Sequence, residues 1–322
     1  MHACVASPPR PKTHTASEQE QVAILLATYN GERYLSEQLE SLLLQTHQHW
    51  TLHVSDDGSS DDTLNILQRY KADIGTRLNL FHGPKQGYAV NFLSMAAKNC
   101  ITADYFAFCD QDDLWHPDKL ERALAWLRQC PEKTPALYCS RTRLVSQHGN
   151  PLGFSPLFQR PPSFRNALVQ SIAGGNTMVF NNALKNLIKQ AGTPPIVSHD
   201  WWLYMLTSGC NGEVFYDPAP TIDYRQHRAN LIGSNRSLKS RMKRLKGVLS
   251  GHFLEWNDIN LEALEGCKHL LTAQNGKTLE YFVRSRRANM FGRLAGTLRS
   301  GIYRQGNLDN LALITAALLR KV

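Results

Sequence analysis

Residues 22–45 read VAILLATYNGERYLSEQLESLLLQ, and this stretch joins two different periodicities. The apolar run at 22–29 ends at Asn30-Gly31, which is typical of a buried strand closed by a turn. Leucines then recur at helical spacing between residues 32 and 45. The stretch therefore predicts a strand followed by a helix, which is the repeating unit of α/β proteins.

The same unit recurs further along the chain. Apolar runs predict a strand and turn at 51–59 and strands at 78–83 and 105–115, and helical spacing recurs at 61–73, 87–99 and 118–130. Such alternation implies an α/β fold with a mostly parallel, Rossmann-like sheet covered by helices on both faces. Ligands of these sheets bind at the carboxyl ends of the strands, so the polar residues there are candidates for a site.

The rest of the chain predicts a hairpin at 135–150, a proline-rich loop at 151–165 and a helix at 199–209. Residues 1–20 are polar without an apolar period, and we expect a flexible leader there. We predict the α/β domain over 21–230, followed by a basic helical region over 231–322.

The composition excludes several classes of protein. The chain has 322 residues, of which 42% are hydrophobic and 20% are charged, so it can bury a sizeable core. We find no signal peptide and no apolar run of the roughly 20 residues that a spanning helix needs, which predicts a soluble chain made in the cytoplasm. Seven cysteines without a C-x-x-C pair argue against a disulfide framework and a cysteine-ligated zinc site.

The strongest chemical signal is Asp110-Gln111-Asp112-Asp113 after an apolar strand. Alternate strand residues face the same way, so Asp110 and Asp112 are expected to project together. Two close carboxylates need a cation or a proton between them, and oxygen ligands alone fit Mg²⁺ or Mn²⁺. The alternative is a solvated acidic turn that caps the next helix.

A second acidic turn, Ser55-Asp56-Asp57-Gly58-Ser59, follows the second strand. A carboxylate there can accept hydrogen bonds from a ribose hydroxyl or a base N–H. An ordinary Asp-Gly turn before a helix is the alternative.

Three motifs in this order carry a resemblance to a known family: residues 27–31 (ATYNG), residues 56–59 (DDGS) and residues 109–115 (CDQDDLW). They resemble the nucleotide-diphosphosugar glycosyltransferases of family two, which have the GT-A fold, over about residues 20–230. The third motif is similar to that of bacterial transferases of lipopolysaccharide and exopolysaccharide assembly, many of them rhamnosyltransferases.

The resemblance implies a nucleotide-sugar-binding half at 21–115 and an acceptor-binding half at 116–230. The residues that it places on the nucleotide sugar are Thr28, Tyr29, Asn30, Glu32, Asp56, Asp57, Asn91, Asp110, Gln111 and Asp112. It implies that the divalent cation, Mg²⁺ or Mn²⁺, is held by Asp110, Asp112 and His227, and that Arg225 contacts phosphate. A structural role is the alternative for His227.

On the acceptor side the resemblance implies a general base, and Asp200, at the start of a predicted helix, matches that position. Its alternative role is that of the helix N-cap. His199 stands where the family more often has glutamate. The implied acceptor-binding residues are Gly175, Asn176, His199, Trp201 and Trp202; because adjacent helix residues point apart, at least one of the two tryptophans is expected in the core.

The basic charge is concentrated at the C-terminus. Residues 1–227 hold 19 Lys+Arg and 21 Asp+Glu, a net charge of −2, whereas residues 228–322 hold 17 and 6, a net charge of +11. Basic and apolar residues alternate at helical spacing over 236–249, which predicts a helix lying on an anionic membrane. The alternative is a packing helix with a solvated basic face. Nucleic acid is not expected as a partner, because no base-stacking platform accompanies the charge.

Together these features predict a metal-dependent, inverting glycosyltransferase that extends a lipid-linked glycan, peripheral on the inner face of the cytoplasmic membrane. A sugar nucleotidyltransferase is a rival, but it should carry a glycine-rich loop with Lys or Arg after the first strand, which residues 27–32 lack. A non-catalytic sugar-nucleotide-binding or membrane-docking module is the other rival.

Overall fold

A computed structural model describes residues 20–227 and 252–322 of the chain. The leader expected at 1–20, except for Glu20, and the basic helix expected at 236–249 lie outside the described residues. So does the part of the α/β domain after His227. None of the described helices is long and apolar enough to cross a membrane.

Eleven described strands form two sheets. Their bounds are β1 Val22–Thr28, β2 Trp50–Asp56, β3 Leu78–His82, β4 Tyr105–Cys109, β5 Leu114–Trp115, β6 Ala136–Ser140, β7 Arg143–Ser146, β8 Pro151–Phe154, β9 Val179–Asn181, β10 Glu213–Asp217 and β11 Ile222–Gln226. The larger sheet has the order β10-β6-β9-β4-β1-β2-β3 and the smaller one the order β5-β11-β7-β8. In the larger sheet only β9 runs antiparallel to its neighbours, so the predicted mostly parallel sheet is confirmed.

Eleven α-helices are described. Their bounds are α1 Leu35–Leu43, α2 Thr63–Ile74, α3 Tyr88–Ala97, α4 Lys119–Leu127, α5 Phe164–Ala167, α6 Asn182–Ala191, α7 His199–Gly209, α8 His252–Gly266, α9 Ala273–Arg287, α10 Met290–Ser300 and α11 Asn307–Leu318. The α/β alternation over the first four strands is the one that the apolar runs predict.

The central strand β1 is buried on both faces. Val22, Ile24 and Leu26 belong to a core cluster shared with α1, α2 and α4, whereas Ala23 and Leu25 belong to the cluster on the opposite face. Successive strand residues point to opposite faces, so this division follows from helices on both sides of the sheet. The unbroken apolar run at 22–26 has the same cause.

The C-terminal helices pack into the same core as α7. Leu271 reaches Gly209, where a Cβ would lie 2.7 Å from the leucine Cδ2. Asn275 donates to the Gly209 carbonyl at 3.0 Å, and the Thr272 N–H donates to the same oxygen at 3.1 Å. The predicted C-terminal helical extension is therefore present. It packs against the C-terminal end of α7, the helix that begins at His199.

Two local predictions were wrong. The hairpin expected at 135–150 is absent, because β6 joins the large sheet and β7 joins the small one; β7 instead pairs antiparallel with β8, inside the expected loop. The strand expected at 105–115 ends at Cys109, so Asp110 and Asp112 lie in a turn. A turn, and not strand alternation, brings their carboxylates together.

Candidate active site

The ends of β1 and β4 are joined by a pair of hydrogen bonds between Tyr29 and Gln111, which we call the clasp. Gln111 accepts a hydrogen bond from the Tyr29 N–H at 2.9 Å and donates to the Tyr29 carbonyl at 3.0 Å. A Cβ on Gly31 would lie 2.6 Å from the Gln111 Cδ, so only glycine leaves room for this amide. Tyr29 itself is 59% exposed and presents its ring at the surface.

The loops after β1 and β2 are also bonded to each other. The Asn30 Oδ1 accepts from the Ser60 N–H at 2.8 Å, and a Glu32 carboxylate oxygen accepts from the Asp62 N–H at 2.9 Å. Asn30 has a positive φ of 47°, which asparagine tolerates. These predicted nucleotide-contacting residues thus line one continuous rim.

Asp56 and Asp57 have different surroundings. The buried Asp56 carboxylate accepts from the Thr28 hydroxyl, from the Ser59 hydroxyl and from the N–H groups of Gly58 and Ser59 at 2.5–3.1 Å, so it organises its own turn. The Asp57 carboxylate points out of that turn.

The Asp57 oxygens accept from the N–H groups of Lys85 at 2.6 Å and Gly87 at 3.0 Å, both in the loop before α3. Asn91, on α3, is buried and donates to the Ser55 carbonyl at 2.9 Å. The buried Asn91 side chain therefore links α3 to the end of β2 by a hydrogen bond.

The loop after β4 gathers three carboxylates. One oxygen each of Asp110, Asp112 and Asp113 lies within 4.8 Å of the others, and Asp113 is fully buried. Burial, then the Asp112 charge and then the Asp200 charge raise the pKa of Asp110 to about 7. Burial and the charges of Asp112 and Asp110 raise the pKa of Asp113 well above its usual range. Three oxygens that repel one another fit a divalent cation, which would remove the repulsion.

Behind these carboxylates lies a buried polar network. The Asn176 amide donates to Asp113 at 2.6 Å, and the Lys119 ammonium donates to the Asn176 carbonyl at 2.6 Å while lying 3.6 Å from the centre of the Trp115 ring. Burial lowers the pKa of Lys119 to about 7. Asn176, predicted on the acceptor side, therefore supports the acidic turn directly.

His227 lies beside the acidic turn that contains Asp110 and Asp112, in the place that the family resemblance implies. Its Nε2 is 2.7 Å from an Asp112 oxygen, and its ring stacks on Tyr34 at 5.0 Å between centroids. The side chain is 11% exposed. His227 and the three carboxylates can thus offer nitrogen and oxygen ligands to one ion.

The phosphate contact predicted for Arg225 is not supported, because its side chain is only 2% exposed. The guanidinium donates to the Glu37 carboxylate at 2.6 Å and to the carbonyls of Asp112 and Gln147 at 3.1 Å. It also lies 4.6 Å from the centre of the Tyr34 ring. Arg225 instead holds the backbone of the turn at Asp112 through a hydrogen bond to its carbonyl.

Asp200 lies in the first turn of α7, and the N-cap of that helix is Ser198, so the alternative role of N-cap was wrong. One Asp200 oxygen accepts from the Trp201 N–H at 2.7 Å. The Asp200 charge raises the pKa of Asp110 and, after burial, raises that of Tyr88 to about 12. Asp200 therefore lies near enough to Asp110 for its negative charge to disfavour a second carboxylate there.

His199 is a core residue and not a lining residue of an open pocket. It is 3% exposed, stacks on Phe92 at 4.2 Å, and meets Phe108 edge-on at 4.9 Å. A Cβ on Gly175 would lie 2.9 Å from the His199 Cε1, so this glycine lets the ring pack closely. Burial lowers the pKa of His199 to about 4, which keeps the ring neutral.

The acceptor contacts predicted for Trp201 and Trp202 are also corrected. Trp201 is 6% exposed and donates to the Ala167 carbonyl, whereas Trp202 is fully buried. The helix is buried on all sides, so residues that point apart both enter the core. Neither indole presents a face to a sugar.

Sequence reasoning missed four residues of this site: Tyr34, Tyr88, Asp113 and Lys119. Asp113 was inside the quoted motif, and its burial was the missing information. The others stand in helical or turn stretches with no motif of their own, so the sequence carries no signal for them.

Comparison with known proteins agrees with this geometry. The profile of Glycosyl transferase family 2 matches residues 23–187, which include the clasp, both acidic turns and Asn176. The chain belongs to glycosyltransferase family 2. It is 30% identical over 231 residues to the dTDP-rhamnosyl transferase RfbG of Shigella flexneri, an alignment that covers 68% of this chain and 78% of RfbG.

Solved structures place this family 2 glycosyltransferase in the GT-A fold. S. aureus TarS, residues 1–349, superposes with a TM-score of 0.50 at 16% identity, over 87% of this chain and 88% of that chain. GalNAc-T7, solved with UDP, GalNAc and Mn²⁺, superposes with a TM-score of 0.51 at 11% identity, over 71% of this chain and 48% of that chain. The α/β fold class expected from the sequence is thus confirmed.

Proposed function

We propose that this glycosyltransferase is metal-dependent and inverting, and that it moves a sugar from a nucleotide-diphosphosugar to a lipid-linked glycan in cell-surface polysaccharide synthesis. Rhamnose from dTDP-rhamnose is the first donor to test, because RfbG is named a dTDP-rhamnosyl transferase. The observation that carries the proposal is the cluster of three carboxylates at the end of β4, with His227 2.7 Å from an oxygen of Asp112.

Donor binding is assigned to the rim of β1 and β2. The exposed Tyr29, with Asn30 and Glu32, borders the space above the strand ends, and Asp57 offers acceptors for base or ribose donors. Asp110, Asp112, Asp113 and His227 would hold Mg²⁺ or Mn²⁺. A bound cation would neutralise the oxygens of the leaving diphosphate.

The chemical step needs one base on the acceptor side. The acceptor hydroxyl oxygen attacks the anomeric carbon, the bond from that carbon to the diphosphate oxygen breaks, and its electron pair leaves with the nucleoside diphosphate. Asp200 takes the proton of the attacking hydroxyl. Attack opposite to the leaving group inverts the anomeric configuration, and a single base is sufficient for it.

The membrane partner rests on the C-terminal charge of +11. A lipid-linked acceptor stays at a bilayer surface, so a positively charged region would hold the enzyme where its acceptor lies. We propose a peripheral location on the inner face of the cytoplasmic membrane.

A thermal-shift screen of dTDP-, UDP- and GDP-sugars with Mn²⁺ tests donor binding, because a ligand of the native state raises the melting temperature. Release of nucleoside diphosphate from the stabilising donor then tests chemistry. Stabilisation without any release, even with a lipid-linked acceptor, would favour the non-catalytic module. Pyrophosphate release from a nucleoside triphosphate and a sugar phosphate would favour the nucleotidyltransferase.

A further inference from the structure

Helix α10 buries polar residues and exposes apolar ones, which is the opposite of an ordinary surface helix. Its buried residues are Arg293, Thr297 and Ser300, which are polar. Two of its apolar residues face outward instead: Phe291 is 77% exposed and Leu298 is 64% exposed. At 100° per residue, Phe291 and Leu298 lie about 20° apart around the helix axis. The apolar stripe therefore faces away from the protein.

The inner face of α10 does not need these apolar residues. Gly296 lies against α9 so closely that a Cβ there would be 3.2 Å from the Ser285 Cα. Arg293 donates to the carbonyls of Ala288 and Leu318, both at 2.8 Å. Small residues and hydrogen bonds hold the helix in place, so the outward apolar stripe has no packing role among the described residues.

Helix α11 repeats the arrangement. Leu308 is 78% exposed, Leu311 is 63% exposed and Leu319, just after the helix, is 55% exposed. Their spacing of three and eight residues puts them on one side of the helix axis. Two consecutive helices that contact each other thus each present a stripe of large apolar side chains to solvent. Exposed apolar surface of this extent marks a site of interaction.

The charge around the stripes identifies the partner. Residues 284–322 hold eight Lys or Arg and one acidic residue, Asp309. Arg299 and Arg320, which follow Leu298 and Leu319 in the sequence, are exposed and form no ion pair within the described parts of the chain. Arg320 and Arg287 also line a cavity that Asp258, Glu262 and Glu265 border. Apolar side chains bordered by cations match an anionic bilayer, where the apolar groups enter the acyl boundary and the cations meet the headgroups.

A second copy of this chain fits the surface less well. In a two-fold dimer the patch would face itself, so the same unpaired arginines would meet across the interface. We propose that the outward stripes of α10 and α11 insert into the surface of an anionic membrane. This inference deepens the membrane partner proposed above, and it is independent of sugar transfer.

The test is flotation of the full chain with vesicles of phosphatidylcholine that contain 30% phosphatidylglycerol. The double variant F291S/L298S removes the α10 stripe without changing charge, and we expect its vesicle partitioning to fall about tenfold or more. The matched control, L44S/L64S, removes two exposed leucines from the half of the chain at 21–115, and it should bind as the unaltered chain does. Melting temperature and donor-induced thermal shift should be unchanged in both variants.

A fluorescent reporter separates insertion from simple charge attraction. F291W should show a blue-shifted emission with the anionic vesicles, as expected when an indole leaves water. Partitioning of F291S/L298S equal to that of the unaltered chain would overturn the proposal and leave charge as the sole cause of binding. A dimer in solution that F291S/L298S converts to a monomer would overturn it in favour of a second copy. If no donor raises the melting temperature of the unaltered chain, that result would count against the proposed function and not against this surface.

Discussion

Asp110→Asn tests whether the acidic turn stores electrostatic repulsion in the absence of a cation. Asparagine keeps the shape of the side chain and removes its charge. Burial and the charges of Asp112 and Asp200 raise the pKa of Asp110 to about 7 from its ordinary value of 3.8. We therefore expect the variant to be more stable than the unaltered protein at high pH when no metal is present.

The size and sign of the effect follow from proton linkage. A pKa about three above the ordinary value corresponds to roughly 4 kcal/mol at about 1.4 kcal/mol for each tenfold change, which is an upper bound because the turn can relax. Well below pH 3.8 the carboxyl is protonated in both the folded and the unfolded chain, so it adds nothing. As pH rises from about 4 to about 7 the unfolded chain loses this proton first, so the folded state is progressively destabilised. The stability advantage of the variant should therefore be below about 1 kcal/mol at pH 4 and greatest above pH 7.

Urea unfolding in EDTA at pH 4, 6 and 8 measures this difference directly. Asp73→Asn, at an exposed position of α2, is the matched control and should show no such pH-dependent gain. Mn²⁺ at pH 8 should stabilise the unaltered protein more than the variant. A stability difference that does not change with pH, or a less stable variant at pH 8, would refute the reasoning.

Three further substitutions test the other parts of the site. Asp112→Asn should abolish Mn²⁺-dependent binding of nucleoside diphosphate, measured by calorimetry, because it removes one negative charge from the carboxylates that would hold the ion; unchanged affinity would contradict the metal assignment. Asp200→Asn should lower kcat by roughly 10²-fold or more with donor affinity nearly intact, and weaker donor binding at full turnover would place Asp200 outside the chemistry. Gly175→Ala should lower the free energy of unfolding by about 1–3 kcal/mol, because its Cβ meets the His199 ring; an unchanged urea midpoint would contradict the described packing.

The ends of β1 and β2 were predictable because each depends on short-range sequence. An apolar run closed by Asn30-Gly31 or by Asp57-Gly58 fixes both the strand and the point where it stops. Parallel order then brings those points together at one edge of the sheet. The position of the turn at Asp56 and Asp57 needed no knowledge of distant contacts, whereas the end of β4 at Cys109 did not follow from its apolar run.

The buried supports were not predictable, because their partners are remote in sequence. Arg225 is 188 residues from Glu37, and Asn176 is 63 residues from Asp113. An arginine in an extended segment is equally consistent with a ligand of phosphate and with a buried residue that holds neighbouring loops by hydrogen bonds. Only the fold decides between them, by determining whether a carboxylate lies within reach.

The tryptophans illustrate a different limit. Adjacent residues of a helix point apart, so a helix with one buried face can bury only one of them. The helix that begins at His199 packs against α3, α5 and α6 and against strands β6 and β10, so both indoles become buried. Periodicity alone does not reveal how many neighbours surround a helix.

The packing of the C-terminal helices against α7 bears on how relatives of this protein can exchange parts. Gly209 accepts hydrogen bonds from Thr272 and Asn275 and has room for Leu271 only because it lacks a side chain. A chimaera that joins the first 230 residues of this chain to the tail of a relative would place unmatched side chains against the helix that carries Asp200. Helix α7 and the tail that packs on it are therefore expected to be inherited together, and successful recombination should require moving α7 with its tail.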